Sequence, residues 1–376
     1  MSEFAAGPAG RIERVRALMV ERGYDAIVVR DEANLRWLTG VKGVFDYTFE
    51  FPHAAFITAD QCLFHTDSRY LNSFEENTPA DSPWVYDMDE GTIPGWVAGK
   101  IAANKCRVCA VEDDMQINFY QGIQRGLEDR SVACMLPLMH DDIRKMRAIK
   151  DAEEIELMRH AQSITDAAFQ HMLGFIKPGM TEKQVRNELE NFMFANGADS
   201  LAFGSIVASG PNTANPHAVP SDRVIEKGDF VLMDYGAGYC DYRSDMTRTV
   251  VMGEPTQEQL DLYALVRRTH EECVAAIHPG VEGNDIFKLS KKIIGDAGYG
   301  DYYNHGLGHG VGIDIHELPN FNRSKNTIEI GSVITMEPGV YLPGVGGVRL
   351  EDYGVVTENG YEPFTKTPHD LHVIDC

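Results

Sequence analysis

The chain has 376 residues, a length that predicts two or three domains at about 150 residues per domain. Its 43% hydrophobic and 24% charged residues exclude a wholly disordered, collagen-like or low-complexity protein. The 57 acidic residues outnumber the 34 Lys and Arg residues, which gives a net charge of −23. So negative a surface argues against binding to nucleic acid or to an anionic membrane, and it leaves carboxylates available to bind metal ions.

The cysteine content and the lack of export or membrane signals predict a cytoplasmic protein. Seven cysteines are an odd number and form no disulfide framework, which favours a reducing compartment. The start of the chain lacks the apolar core of a secretory signal, and no run of about 18 apolar residues predicts a membrane span. Cys106 and Cys109 form a CxxC motif, but no second pair accompanies it, so we interpret it as part of a buried strand.

The first third of the chain alternates predicted helices and strands, a pattern typical of an α/β domain. A helix from Arg11 ends at Gly23, and strands are predicted within 25–31, 54–59 and 106–112. A second domain begins near residue 140, so we predict domains at 1–140 and 141–376. Its first long helix has Asp151 as cap and Glu154 at the capping-box position, and it ends at the Lys-Pro-Gly of 177–179.

The second domain contains an internal duplication, far longer in period than a solenoid repeat. Each half has the order helix, glycine turn, helix and acid-bearing strand. The related residues lie 101 or 103 positions apart: Gly179 and Gly280, Gly197 and Gly298, Gly228 and Gly331, Met233 and Met336, Asp234 and Glu337, Gly236 and Gly339. This pattern predicts one domain with pseudo-twofold symmetry, in which the two acidic strands lie side by side.

Each half also predicts a hairpin that carries two acids among apolar residues. Asp234 and Asp245 are predicted to lie opposite each other about a turn at 239–240, and Glu337 and Glu351 opposite each other about Gly344. A buried like-charge pair at about 4 Å costs on the order of 4 kcal/mol at an effective dielectric of about 20. Four such carboxylates predict two divalent cations, and oxygen-rich ligation favours Mn, Fe, Co or Mg over a structural zinc.

A glycine-histidine segment at 305–317 supplies imidazole groups near these acids. His305, His309 and His316 lie among four glycines, which exclude a regular helix. The alternation of apolar residues at 311–315 predicts a strand. His309 and His316, seven positions apart, would reach one site only if the glycines bend or bulge the chain.

Together these motifs resemble the M24 metallopeptidases of the pita-bread fold. The resemblance covers about residues 140–370 and rests on the motifs DYGAGYCDYRSDMTRT, HGLGHGVGIDIHE, TMEPGVY and GGVRLED. NLRWLTG and TDSRY in the first domain resemble the N-terminal domain of Xaa-Pro dipeptidases (prolidases) and Xaa-Pro aminopeptidases. The resemblance implies a fold of α/β (α+β) class, with a creatinase-like N-terminal domain followed by a pita-bread catalytic domain.

The resemblance also implies a role for each residue of the motifs. Asp234, Asp245, His309, Glu337 and Glu351 would bind two divalent metal ions, with manganese expected and cobalt, zinc or iron as alternatives. A hydroxide between the metals would attack an Xaa-Pro peptide bond, with Glu337 as proton shuttle. His217, His305 and His316 would contact the substrate or its transition state, and Arg349 and Tyr341 would orient the ligands. Trp37 matches a position that can reach the site of a partner subunit.

The resemblance therefore predicts an exopeptidase for small proline-containing peptides, with a homodimer as the expected assembly and neither nucleic acid nor membrane as a partner. Four alternatives stay open. They are a binding module that has lost its ligands, a metal-free creatinase-type hydrolase, a methionine aminopeptidase and a metal-dependent lyase on the same fold.

Overall fold

The computed structural model describes residues 7–45, 51–88, 91–322 and 325–376. The chain divides into two compact units, Met1–Arg147 and Ala148–Cys376. Within its described residues, no helix is long and apolar enough to cross a membrane.

The first unit is built around a mixed five-stranded sheet of order β4-β3-β2-β1-β5, in which β1 pairs antiparallel with β2 and parallel with β5. Its elements in chain order are α1 (Gly7–Arg22), β1 (Ala26–Val29), α2 (Glu32–Thr39), β2 (Ala54–Thr58), β3 (Cys62–His65), α3 (Leu71–Asn77), β4 (Val85–Asp87), α4 (Ile93–Ala103), β5 (Cys109–Val111), α5 (Ile117–Asp129) and α6 (Asp142–Arg147).

The structure agrees with the helices and strands predicted in this unit, with one difference at the CxxC motif. Gly23 ends α1 in the left-handed conformation, with φ 70°. The strand starts only at Cys109, and Cys106 precedes it. Both thiols are buried and free, so they pack as small apolar groups in the core.

Trp37 belongs to the core of the first unit. Its side chain is fully buried, and the guanidinium groups of Arg11 and Arg14 lie about its ring at 5.2 and 4.8 Å from the centroid. The expectation that this indole reaches a partner's site is therefore not supported, because the ring is enclosed by its own unit.

The second unit holds four sheets and four long helices among its described residues. In chain order its elements are α7 (Ala152–Phe175), α8 (Glu182–Ala195), β6 (Ser200–Leu201), β7 (Ile206–Ser209), β8 (Phe230–Tyr235), β9 (Ala237–Tyr239), β10 (Tyr242–Arg243), β11 (Met246–Met252), α9 (Gln257–Ala275), α10 (Gly283–Asp296), β12 (Gly308–Gly310), β13 (Glu317–Phe321), β14 (Val333–Met336), β15 (Gly339–Leu342), β16 (Gly346–Arg349), β17 (Asp352–Thr357), β18 (Gly360–Pro363) and β19 (Val373–Ile374). The predicted capping box of Asp151 and Glu154 is present at the start of α7.

Equivalent backbone hydrogen bonds relate the two halves of this unit. Gly179 N–H donates to Ile225 O at 2.9 Å, and Gly280 N–H donates to Ile328 O at 2.7 Å. Gly228 and Gly331 are also equivalent, because both are left-handed and donate their N–H groups to the strand that pairs with the acid-bearing strand, at Met252 O on β11 and Val356 O on β17. The acid-bearing strands of the halves meet where Glu351 N–H donates to Thr247 O at 3.1 Å. The predicted pseudo-twofold arrangement is therefore confirmed.

The repeated glycine turns offer a test of backbone strain without steric conflict. Gly228 has φ 90°, and a Cβ added there would meet no atom within 4 Å, whereas Gly174 lies in α7 with equally open space. We expect Gly228→Ala to destabilise the protein by about 1–2 kcal/mol, because a Cβ disfavours the left-handed conformation. Gly174→Ala should stabilise it by about 0.5–1 kcal/mol. Urea unfolding of both variants checks this, and equal effects of the two changes would contradict it.

Candidate metal centre

The first acidic hairpin has a register two residues away from the predicted one. Asp234 on β8 pairs with Thr247 on β11, so the prediction that it lies opposite Asp245 is wrong. The reason is the turn, which is centred on Cys240 and Asp241, both left-handed with φ 46° and 71°. Because side chains alternate along a strand, Asp245 still shares a face with Asp234, as a diagonal neighbour.

The second acidic hairpin has the predicted register. Met336 pairs with Asp352 across β14 and β17, and Gly339 pairs with Arg349 across β15 and β16. Both pairs are symmetric about residue 344, so the same register sets residues 337 and 351 opposite each other. The pairing about Gly344, which is left-handed with φ 78°, is thus confirmed.

The glycine-histidine segment bends instead of continuing as a strand. The strand predicted at 311–315 is wrong, because 312–316 are bends between β12 and β13, and a bulge falls between His309 and Gly310. The bend brings the rings of His309 and His316 to a centroid distance of 4.3 Å. A Cβ at Gly308 would lie 2.3 Å from Thr335 O, so only glycine allows this close approach.

The five predicted metal ligands meet in one cavity of about 500 Å³. His309 Nε2 lies 3.6 Å from Asp245 Oδ2 and 3.6 Å from Glu337 Oε1. Ligand atoms of Asp245, His309 and Glu351 all lie within 4.8 Å of one another. Asp234 lines the same cavity and has a buried Oδ1 with no hydrogen-bond partner in the described residues.

Hydrogen bonds from neighbouring residues fix the orientation of these groups. His309 Nδ1 lies 3.1 Å from Gly310 O, which assigns the ring proton to Nδ1 and turns the Nε2 lone pair toward the acids. Thr335 Oγ1 accepts from the His309 N–H at 3.0 Å. Thr247 Oγ1 donates to Glu351 Oε2 at 2.6 Å. Neither threonine is among the predicted site residues, although a correctly placed turn would show Thr247 opposite Asp234.

Arg349 is the cation that offsets part of the negative charge in the cavity. Its guanidinium is buried and donates to Asp234 Oδ2, to Tyr341 Oη at 2.8 Å and to Pro216 O at 3.2 Å. The four acids and Arg349 have a formal net charge of −3, smaller in magnitude than the −4 predicted from the acids alone. The bond to Asp234 joins residues 115 positions apart, which no local sequence pattern predicts.

The predicted substrate-contacting histidines lie around this cavity, which His217, His305 and His316 all line. His217 is exposed on the loop that follows β7. His305 has both ring nitrogens in protein contacts, with Nδ1 2.7 Å from Gly306 O and Nε2 2.9 Å from Tyr341 Oη. The cavity wall is otherwise largely apolar, with these side chains that were not predicted: Phe203, Ile206, Val219 and Ile315.

Burial sets the protonation of the metal-free site. It raises the pKa of Glu337 to about 8, and burial beside other carboxylates raises the pKa values of Asp245 and Glu351 well above their usual range. Burial lowers the pKa of His309 to about 3, so its imidazole is neutral at pH 7. Neutral imidazole and clustered carboxylates that resist ionisation are the groups that divalent cations bind and stabilise. The residues present therefore fit a pair of such ions.

Comparison with known proteins gives the family. Residues 156–358 match the model of metallopeptidase family M24, and residues 11–149 match the creatinase/prolidase N-terminal domain. The "uncharacterized peptidase YqhT" of Bacillus subtilis is 36% identical over 97% of this chain and 100% of its own. The chain belongs to metallopeptidase family M24, and the predicted fold class of creatinase-like and pita-bread domains is confirmed.

Two solved structures place the chain close to Xaa-Pro peptidases. The Xaa-Pro dipeptidase from Bacillus anthracis has a TM-score of 0.89 and 35% identity, covering 98% of this chain and 100% of its own. The X-Pro aminopeptidase from Thermotoga maritima has a TM-score of 0.85 and 30% identity, covering 97% and 100%.

The raised pKa of Glu337 predicts a pH dependence of the metal-free protein. Between its ordinary pKa of 4.5 and the folded value of about 8, the folded state retains a proton that the unfolded state loses, so the stability that Glu337 contributes falls as pH rises. We compare Glu337→Gln with wild type, both freed of metal by a chelator. As pH rises from about 4.5 to 8, the free energy of unfolding of the variant should rise relative to that of wild type, by at most about 1.4 kcal/mol per pH unit. Urea unfolding across this range checks it, and a constant difference would contradict it.

Proposed function

We propose that the chain is a dinuclear-metal-dependent exopeptidase that hydrolyses Xaa-Pro peptide bonds. The observation that carries this proposal is the convergence of Asp234, Asp245, His309, Glu337 and Glu351 on one cavity. Arg349 offsets only part of the charge of these buried carboxylates. The solved relatives named as Xaa-Pro dipeptidase and X-Pro aminopeptidase support the substrate class.

The metal ions, manganese first and cobalt, zinc or iron as alternatives, would lower the pKa of a water and polarise the scissile carbonyl. Asp245 and Glu351 would contact both ions, Asp234 one of them, and His309 and Glu337 the other. Thr247 donates a 2.6 Å hydrogen bond to the Glu351 carboxylate, and this bond limits rotation of the carboxylate beside the two metal ions.

Glu337 is the residue proposed to move the proton. Its Oε2 lies 3.9 Å from His305 Nδ1 and its Oε1 3.6 Å from His309, so the carboxylate lies at the inner wall of the cavity. From there it would accept a proton from the attacking water and deliver it to the leaving proline nitrogen.

The three histidines of the cavity have different proposed roles. A neutral His305 donates from Nδ1 to Gly306 O and accepts from Tyr341, so it positions Tyr341 and Arg349 and has no spare donor. His316 and His217 are the imidazoles that would contact the peptide. The apolar wall formed by Phe203, Ile206 and Val219 suits a prolyl ring. The homodimer and the cytoplasmic location stay predictions.

Metal dependence and proline preference can be tested together. We expect EDTA to abolish hydrolysis of Ala-Pro and Ala-Pro-Ala, and Mn²⁺ or Co²⁺ to restore it, because the nucleophile needs the cations. Ala-Ala and Ala-Ala-Ala serve as matched controls and should be cleaved much more slowly. Full activity in a rigorously metal-free preparation, or equal rates on the alanine controls, would contradict the proposal. The ratio of the two proline substrates also distinguishes dipeptidase from aminopeptidase.

The two neighbouring histidines are expected to have different roles. His309→Ala should lose both activity and one equivalent of bound Mn²⁺, since His309 Nε2 faces the acids. His316→Ala should keep the metal and lose roughly 10²–10³-fold in kcat if it stabilises negative charge on the carbonyl oxygen. Metal analysis beside kcat for each variant makes the comparison. Metal loss in His316→Ala with retention in His309→Ala would reverse the two roles.

A further inference from the structure

A second cluster of metal-binding groups lies in the same unit, apart from the proposed active-site cavity. His270 on α9, Asp352 on β17 and His369 in the segment before β19 each offer one ligand atom, and these atoms lie within 4.8 Å of one another. The side chains of His270 and Asp352 are 2% and 4% exposed, and that of His369 is 26% exposed. Asp352 directly follows Glu351, but it does not line the active-site cavity.

His270 is the group whose surroundings need an explanation. Its ring is buried, and neither nitrogen has a hydrogen-bond partner among the described residues. Nε2 lies 3.5 Å from Asp352 Oδ2, too poorly aligned for a hydrogen bond. A buried imidazole with neither nitrogen bonded is unfavourable, so a water or an ion is expected to bond to this ring.

Asp352 presents one oxygen to both imidazoles. Arg248 donates to Oδ1 at 2.7 Å, which fixes the carboxylate and leaves Oδ2 facing the histidines. His369 Nε2 lies 2.5 Å from Oδ2, and the two imidazole rings are 4.8 Å apart at 72°. A small rotation of the partly exposed His369 would open this contact to the spacing of two ligands on one ion. Two imidazole nitrogens and one carboxylate oxygen form a donor set that Zn²⁺ binds.

We propose that His270, Asp352 and His369 form a separate Zn²⁺ site that links helix α9, strand β17 and the segment before β19. The segment is already held nearby, because Arg248 donates to Thr367 O at 2.7 Å and Tyr263 Oη donates to His369 O at 3.2 Å. Two nitrogen ligands favour zinc over manganese or magnesium, which prefer oxygen. Because the three ligands do not line the active-site cavity, the ion would stabilise the fold and would not contact the peptide.

Zinc stoichiometry on the full chain tests this site independently of the active site. We expect His369→Ala and His270→Gln each to retain one Zn²⁺ equivalent fewer than wild type after equilibrium dialysis. His372→Ala is the matched control, since it removes an imidazole from the same segment without touching the cluster, and it should retain the wild-type amount. His369 is partly exposed, so its variant gives a result even if His270→Gln fails to fold.

The His309→Ala background separates the two metal sites. Zn²⁺ should still raise the melting temperature of the His309→Ala variant. It should not raise the melting temperature of the double variant that also carries His369→Ala. Equal zinc content in wild type and His369→Ala, or the same loss in His372→Ala, would overturn the proposal. If instead His309→Ala loses no metal while His369→Ala does, the active-site assignment fails and this zinc site stands.

Discussion

The burial of four carboxylates around one cavity is the constraint on which the rest of the second unit depends. Arg349 is the cation in contact with them, through its bond to Asp234. Leaving such a cluster ionised in a low-dielectric interior is unfavourable by several kcal/mol per charge, so the protein must either keep protons there or bind cations. The raised pKa values of Asp245, Glu337 and Glu351 show that the metal-free site keeps protons. In the proposed enzyme two bound cations take the place of those protons.

The duplicated half-domain provides the rigid frame that this cluster requires. In each half a left-handed glycine, Gly228 or Gly331, precedes the acid-bearing strand and donates its N–H to the strand paired with it, at Met252 O on β11 or Val356 O on β17. The halves then join through the bond from Glu351 N–H to Thr247 O, and the same threonine holds the Glu351 side chain. The positions of the acids thus follow from backbone pairing, which deforms little, and the imidazole of His309 reaches them from a bulge between glycines.

Much of this arrangement can be predicted from the sequence, because repeated glycines and alternating apolar residues are local signals. The second hairpin is predicted in register since LPGVGG has turn residues centred on Gly344. The first is displaced from its predicted register because Cys240 and Asp241 adopt a left-handed turn that their residue types only weakly favour. Contacts between distant segments, such as Arg349 with Asp234 or His270 with Asp352, leave no local pattern in the sequence.

Anomalous diffraction from crystals grown with Mn²⁺ tests most directly whether the buried carboxylates hold two divalent cations. We predict two manganese peaks in the cavity, with Asp245 and Glu351 within ligand distance of both and His309 Nε2 within ligand distance of one. A cavity without manganese, or a single ion that leaves Asp234 bonded to Arg349 alone, would contradict it.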